Sequence, residues 1–149
     1  MMKYAVPLFL LILISALVAC DSGPRSPAGF RLPGGDVEQG KAVFLELECY
    51  RCHRVAGVEG LPSPTIDPPV PVVLGGRVFE VRTDGYLVTS IIDPSHRLTR
   101  EFRGKILTTE SGESRMPDHN DVMTVRQLTD LVAFLQSTYR VTPPPRQIN

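Results

Sequence analysis

Apolar residues recur at helical spacing near both ends of the chain. In "DVEQGKAVFLELE", residues 36–48, Val37, Gly40, Phe44 and Leu47 fall near one face of a helix. Asp36 can cap that helix, and Gln39, three positions on, can complete a capping box. The second stretch, "VRQLTDLVAFLQSTY" at 125–139, has a fuller face of Val125, Leu128, Leu131, Val132 and Leu135. Thr124 and Gln127 repeat the capping pattern, and the prolines beyond, in "TPPP", stop the helix. A third predicted helix, "DGYLVTSII" at 84–92, ends at Asp93-Pro94. Gly40 costs about 1 kcal/mol inside a helix. Close approach of another helix at that point would offset it, and the last helix is the expected partner.

The stretches between and around these helices read differently. "EGLPSPTIDPPVPVVLGG", residues 59–76, is too rich in proline for regular structure. A loop of that length in a compact domain is functional or packed on a ligand. Residues 1–19, "MMKYAVPLFLLILISALVA", carry one lysine and then an uncharged apolar run from Ala5 to Val18. The run is short for a permanent membrane span and has the form of a secretory signal. It ends at Leu17-Val18-Ala19-Cys20, which resembles the lipobox of bacterial lipoproteins. That resemblance implies a lipidated Cys20 as the mature N-terminus. Two or three acyl chains would tether the protein to the outer face of a membrane. Asp21 after the cysteine favours inner-membrane retention in some Gram-negative bacteria, with the domain in the periplasm. "DSGPRSPAGFRLPGG" at 21–35 lacks an apolar pattern, so 20–35 reads as lipidated cysteine plus flexible linker. "VTPPPRQIN" reads as an unstructured tail over 141–149. Residues 36–140 are the size of one domain. The whole chain has 16 basic and 16 acidic residues and no net charge. No basic surplus draws it to nucleic acid.

The chemistry concentrates in "LECYRCHRV", residues 47–55, where Cys49, Cys52 and His53 use two of the three cysteines and one of the three histidines in the chain. A thioredoxin-like pair would want alternating strands and helices. A disulfide leaves His53 unexplained. A zinc site needs four ligands, and neither His96 nor His119 lies in a second cluster. C-x-x-C-H is the attachment motif of c-type haem (heme c): two thiols add to two vinyl groups, and the adjacent imidazole becomes the fifth ligand of the iron. With Cys20 lipidated, no cysteine is left over. Met116, in "SRMPDHNDVMTVRQL", is the candidate sixth ligand. Its soft, neutral thioether favours the ferrous state and raises the reduction potential, and Pro117 stiffens the loop presenting it. Met123, one residue before the helix cap, reads as core. His96 or His119 in place of Met116 would give a lower-potential haem.

From about 36 to 140 the chain resembles a single-haem class I cytochrome c. The resemblance rests on Gly40 and Phe44, Cys49-Tyr50-Arg51-Cys52-His53, the segment Pro69 to Arg77, Met116-Pro117, and the last helix with Phe134. "YLVTSIIDPS", residues 86–95, resembles a helix and loop of many bacterial members. The resemblance implies an all-α, cytochrome c-like fold of three to four helices around one covalent haem. It also implies that the Pro69 carbonyl accepts a hydrogen bond from His53 and that Arg77 pairs with a haem propionate. Pro71 stands where the family usually has leucine, and the stretch from His53 to Pro69 is longer than in short cytochromes. Pro62 or Pro64 could therefore take the carbonyl role. The implied function is a membrane-tethered electron carrier between redox partner proteins, with no substrate chemistry. Neither a nucleophile with a base nor paired carboxylates stands near the motif. Two alternatives stay open: an enzyme or sensor whose displaceable sixth site takes a peroxide or gas, and a cytochrome subunit of a larger oxidoreductase complex.

Overall fold

The computed structural model describes residues 29–66, 72–98 and 107–142. The expected signal 1–19, lipidated Cys20 with Asp21, Pro69, Pro71 and most of the tail lie outside these. The chain divides into units 1–30 and 31–149, and the described helices and strands all belong to the second. Among the described residues, no helix is long and apolar enough to cross a membrane.

Three helices form where the sequence predicts them. α1 spans Val37–Glu46, α2 spans Asp84–Ile92, and α3 spans Val125–Thr138. Thr124 caps α3 through the complete predicted box: its hydroxyl accepts from the Gln127 N–H, and the Gln127 side chain accepts from the Thr124 N–H. The box at α1 is only half made. Asp36 accepts from the Gln39 N–H at 2.9 Å, but its own N–H donates to Asp130 Oδ1 on α3, at 2.8 Å. A long-range acceptor thus replaces the local one expected of Gln39, because the N-terminus of α1 lies against α3.

The helices cross at Gly40. A Cβ there would fall on the Asp130 carbonyl oxygen and lie 2.7 Å from Phe134 Cβ. The rings of Phe44 and Phe134 meet at 5.7 Å between centroids, tilted by 59°. Phe44, Val43, Leu131, Val132, Phe134 and Leu135 form the core with Leu87, Val88 and Ile91 of α2. Val37 and Val125, expected on the buried faces, are 40% and 74% exposed. Each is the first residue of its helix. The expected linker also ends earlier than Asp36: Leu32 packs on the core, and a Cβ at Gly35 would meet Ala133 Cβ at 2.9 Å.

The all-α expectation needs correction, because a small parallel sheet of order β1-β2-β3 accompanies the helices. β1 is His53–Ala56, β2 Val72–Val78 and β3 Tyr139–Val141. β2 therefore occupies the end of the stretch expected to be irregular, and the helix expected to run to 139 gives way to a strand at Tyr139. Residues 72–75 of β2 pair with β1, and residues 76–78 pair with β3. The change of partner falls at Gly75-Gly76, both in the left-handed region, with φ of +72° and +77°. That backbone suits glycine. At Gly75 there is also no room for a side chain, since a Cβ would strike the Thr138 hydroxyl and lie 2.8 Å from Thr138 Cβ.

Candidate functional site

The cysteines sit at the junction of α1 and the sheet. Glu48, in the left-handed region at φ +53°, turns the chain out of α1. A single 3-10 turn, Cys49–Arg51, follows it. Arg51 pairs with Glu48 at 2.9 Å on the surface of this turn. Cys49 and Cys52 are both free thiols and half-buried. Burial, with the neighbouring Cys52 adding to it, pushes the Cys49 thiol up to about 11.

His53 opens β1, and the register of the sheet sets its partner. His53 stands opposite Val72 in the parallel pairing, and its Nδ1 lies 3.3 Å from the Val72 carbonyl oxygen. A carbonyl only accepts, so Nδ1 carries the proton and Nε2 keeps its lone pair. Burial holds the imidazole below its usual pKa, with the Val72 hydrogen bond opposing that shift. The ring is thus kept neutral and oriented, the form in which histidine binds a metal. The carbonyl expected of Pro69, or else of Pro62 or Pro64, is supplied by Val72. Strand pairing explains the change, since it brings a β2 backbone group to His53 whatever side chain that residue carries. Pro62 and Pro64 line a separate small cavity under the 57–64 turn.

Cys49, Cys52 and His53 open onto a cavity of about 890 Å³, within the range typical of cofactor sites. Phe44, Leu87, Ile91, Leu131 and Leu135 form its apolar floor. Met116 faces the same cavity from the loop between α2 and α3, as does His119 from the turn after it. Met116 and His119 are both half-buried. Met123 packs against the core, away from the cavity lining, as the sequence suggests. His96 reaches the rim but is exposed, and its Nδ1 lies 2.7 Å from the Asp93 carbonyl oxygen. Arg77, Arg82, Arg97 and Arg115 lie around the lining with Glu80. Arg82 also stacks its guanidinium on the Tyr86 ring at 4.9 Å. Among the described residues, no group of three or more His, Cys, Asp and Glu side chains is placed to hold a metal ion by itself.

These residues suit a flat, largely apolar group carrying carboxylates and attached through two thiols. The cavity has an apolar floor, two cysteines at its edge, a neutral imidazole whose Nε2 makes no hydrogen bond to the described residues, a thioether on a separate loop, and arginines for the carboxylates. Sequence reasoning missed Val72, a backbone acceptor that leaves no residue-type signal, and the arginines other than Arg77. The family model described as "Cytochrome c" matches residues 37–139. No curated protein and no solved structure was found to match. Members of that family carry haem c with its iron, covalently attached, and Cys49, Cys52 and His53 stand in the C-x-x-C-H position.

Proposed function

Because this chain belongs to the cytochrome c family, whose members carry electrons between redox partners, we propose that it is a monohaem electron carrier with His53 and Met116 as axial ligands. The observation that carries the proposal is that both side chains line one cavity from separate elements, beside the two cysteines. When bound, haem iron supplies one-electron exchange between its ferric and ferrous states. The protein's own residues supply the rest. Cys49 and Cys52 hold the group covalently. The Val72 carbonyl orients His53 and fixes its tautomer. Met116 offers a neutral sulfur that favours the lower-charged iron state and so raises the potential. Phe44, Leu87 and Leu131 keep water from the buried face, which limits reorganisation as the charge changes. Arg77 is the propionate partner implied by the family resemblance, and Arg82, Arg97 and Arg115 are placed to share that role.

The sequence further supports a tether at Cys20, through two or more acyl chains, to the periplasmic face of a bacterial membrane. Electrons would pass to and from protein partners there.

An absorption spectrum of the purified holoprotein, oxidised and reduced, tests the axial ligands. The expected result is low-spin haem with the weak long-wavelength charge-transfer band of ferric iron bound to methionine sulfur, lost in Met116→Ala. A low-spin spectrum without that band would overturn Met116 and make His119 the residue to substitute, since it is half-buried in the same cavity. A high-spin spectrum would mean an open sixth site and a ligand-binding or enzymatic role.

A further inference from the structure

Met116 owes its place to contacts that do not involve its own side chain. On the upstream side, the Ser114 N–H donates to Ser95 Oγ at 3.0 Å, and Ser114 Oγ accepts from the Met116 N–H at 3.1 Å. On the downstream side, Asn120 Nδ2 donates to the Ile92 carbonyl at 2.9 Å. The His119 carbonyl accepts from the N–H groups of Val122 and Met123, at 3.1 and 2.8 Å, and Met123 is packed on the core. Both distant partners, Ile92 and Ser95, belong to the C-terminal end of α2 and the turn after it. That end is rigid: Leu87, Val88 and Ile91 are buried, and the Asp93 and His96 N–H groups close successive turns on Thr89 and Asp93. The Ile92 carbonyl is one of the last carbonyls of α2, which have no partner within the helix, and Asn120 supplies one.

We propose that Ser95 and Asn120 are positioning residues that clamp the Met116 loop to the end of α2, and that this clamp sets how readily an outside ligand displaces the thioether from the sixth position. The proposal rests on the reading of Met116 as the sixth ligand. A ligand competing for the iron must wait for the loop to lift, so its apparent affinity scales with the lifted fraction. Each anchor is an intramolecular hydrogen bond, and losing one enlarges that fraction roughly three- to tenfold. Both anchors lie at the surface, so their removal leaves the core intact.

The test is titration of ferric holoprotein with imidazole, followed by absorption, in the wild type, Asn120→Ala, Ser95→Ala and Ser95→Thr. The charge-transfer band of methionine-bound iron is recorded before each titration. The clamp predicts that the alanine variants keep the band without imidazole and bind imidazole roughly three- to tenfold more tightly. Ser95→Thr, which keeps a hydroxyl acceptor, should stay within about twofold of the wild type by the same reasoning. A merely structural role would lower the thermal midpoint and leave imidazole affinity unchanged; that result, with the wild-type band present, overturns the clamp while the Met116 assignment stands. Equal tightening in Ser95→Thr and Ser95→Ala overturns the part assigned to the Ser95 hydroxyl. A wild-type spectrum without the band overturns the ligation reading and the clamp with it.

Discussion

Replacing Gly40 with alanine separates two opposed effects whose sizes are known. In an open helix interior the change stabilises by about 1 kcal/mol, because glycine is the poorer helix former. Here the added methyl would land on the Asp130 carbonyl, 2.5 Å from its carbon and 2.7 Å from Phe134 Cβ. Carbon atoms rest at roughly 3.5–4.0 Å, so α1 and α3 must separate by about 1 Å where Phe44 and Val132 are each only 1% exposed. Overpacking of this kind costs about 1–3 kcal/mol, and the Asp36–Asp130 hydrogen bond beside it would lengthen. The propensity gain leaves up to about 2 kcal/mol of that strain, the weakened hydrogen bond adds about 1 kcal/mol, and the expected net loss is about 1–3 kcal/mol. At roughly 4–8 °C per kcal/mol for a domain of this size, the midpoint of thermal unfolding should fall by about 4–24 °C. Circular dichroism of the holoprotein measures it, with the haem spectrum below the transition showing that ligation is native. Ala42→Gly, at an exposed position of the same helix, calibrates propensity alone and should cost about 1 kcal/mol. If Gly40→Ala unfolds at the same temperature as the wild type or higher, the tight crossing is wrong.

Other expected outcomes address the cap, the iron and the tether. Thr124→Ala removes the box that closes the N-terminus of α3 and should cost about 1 kcal/mol, read as a fall of roughly 5 °C in the same melt; an unchanged midpoint would mean that the cap adds nothing. Met116→His should keep a low-spin haem and lower the reduction potential in an optical redox titration, since a more basic nitrogen replaces the sulfur that favours ferrous iron. An unmoved potential would show that residue 116 is not bound to iron. Cys20→Ser should shift the protein from the membrane fraction to the soluble fraction after fractionation of the producing cells, provided the signal is still cleaved. Retention of the processed protein on the membrane would refute a lipid tether.

The parts legible in the sequence are those whose information is local. α1, α2 and α3 announce themselves by apolar spacing and by capping residues at Asp36 and Thr124, and the cost of Gly40 points to a helix crossing. The Cys49–His53 motif is legible because covalent attachment demands its spacing; Met116, singled out because a thioether beside proline precedes the last helix, lines the same cavity. The sheet is not legible, because its strands are short, parallel and drawn from distant parts of the chain. β2 lies among prolines and contains two glycines with left-handed backbone, features that argue against a strand when read locally. Val72 escapes notice for the same reason: its contribution is a carbonyl that every residue has, and only the register of β1 on β2 selects it. The Asp36–Asp130 bond is likewise invisible until α1 meets α3.

The crossing of α1 and α3 joins residues 94 positions apart in the chain, and this separation orders events in time. A chain emerging N-terminus first exposes Cys49 and Cys52 long before the residues of α3 exist to cover Phe44. Contacts between such distant segments must wait for both to be present. Until α3 is present, the cavity beside the two thiols lacks the wall that Leu131 and Leu135 supply. The cavity is thus a late product of folding, its walls complete only once the last helix has docked.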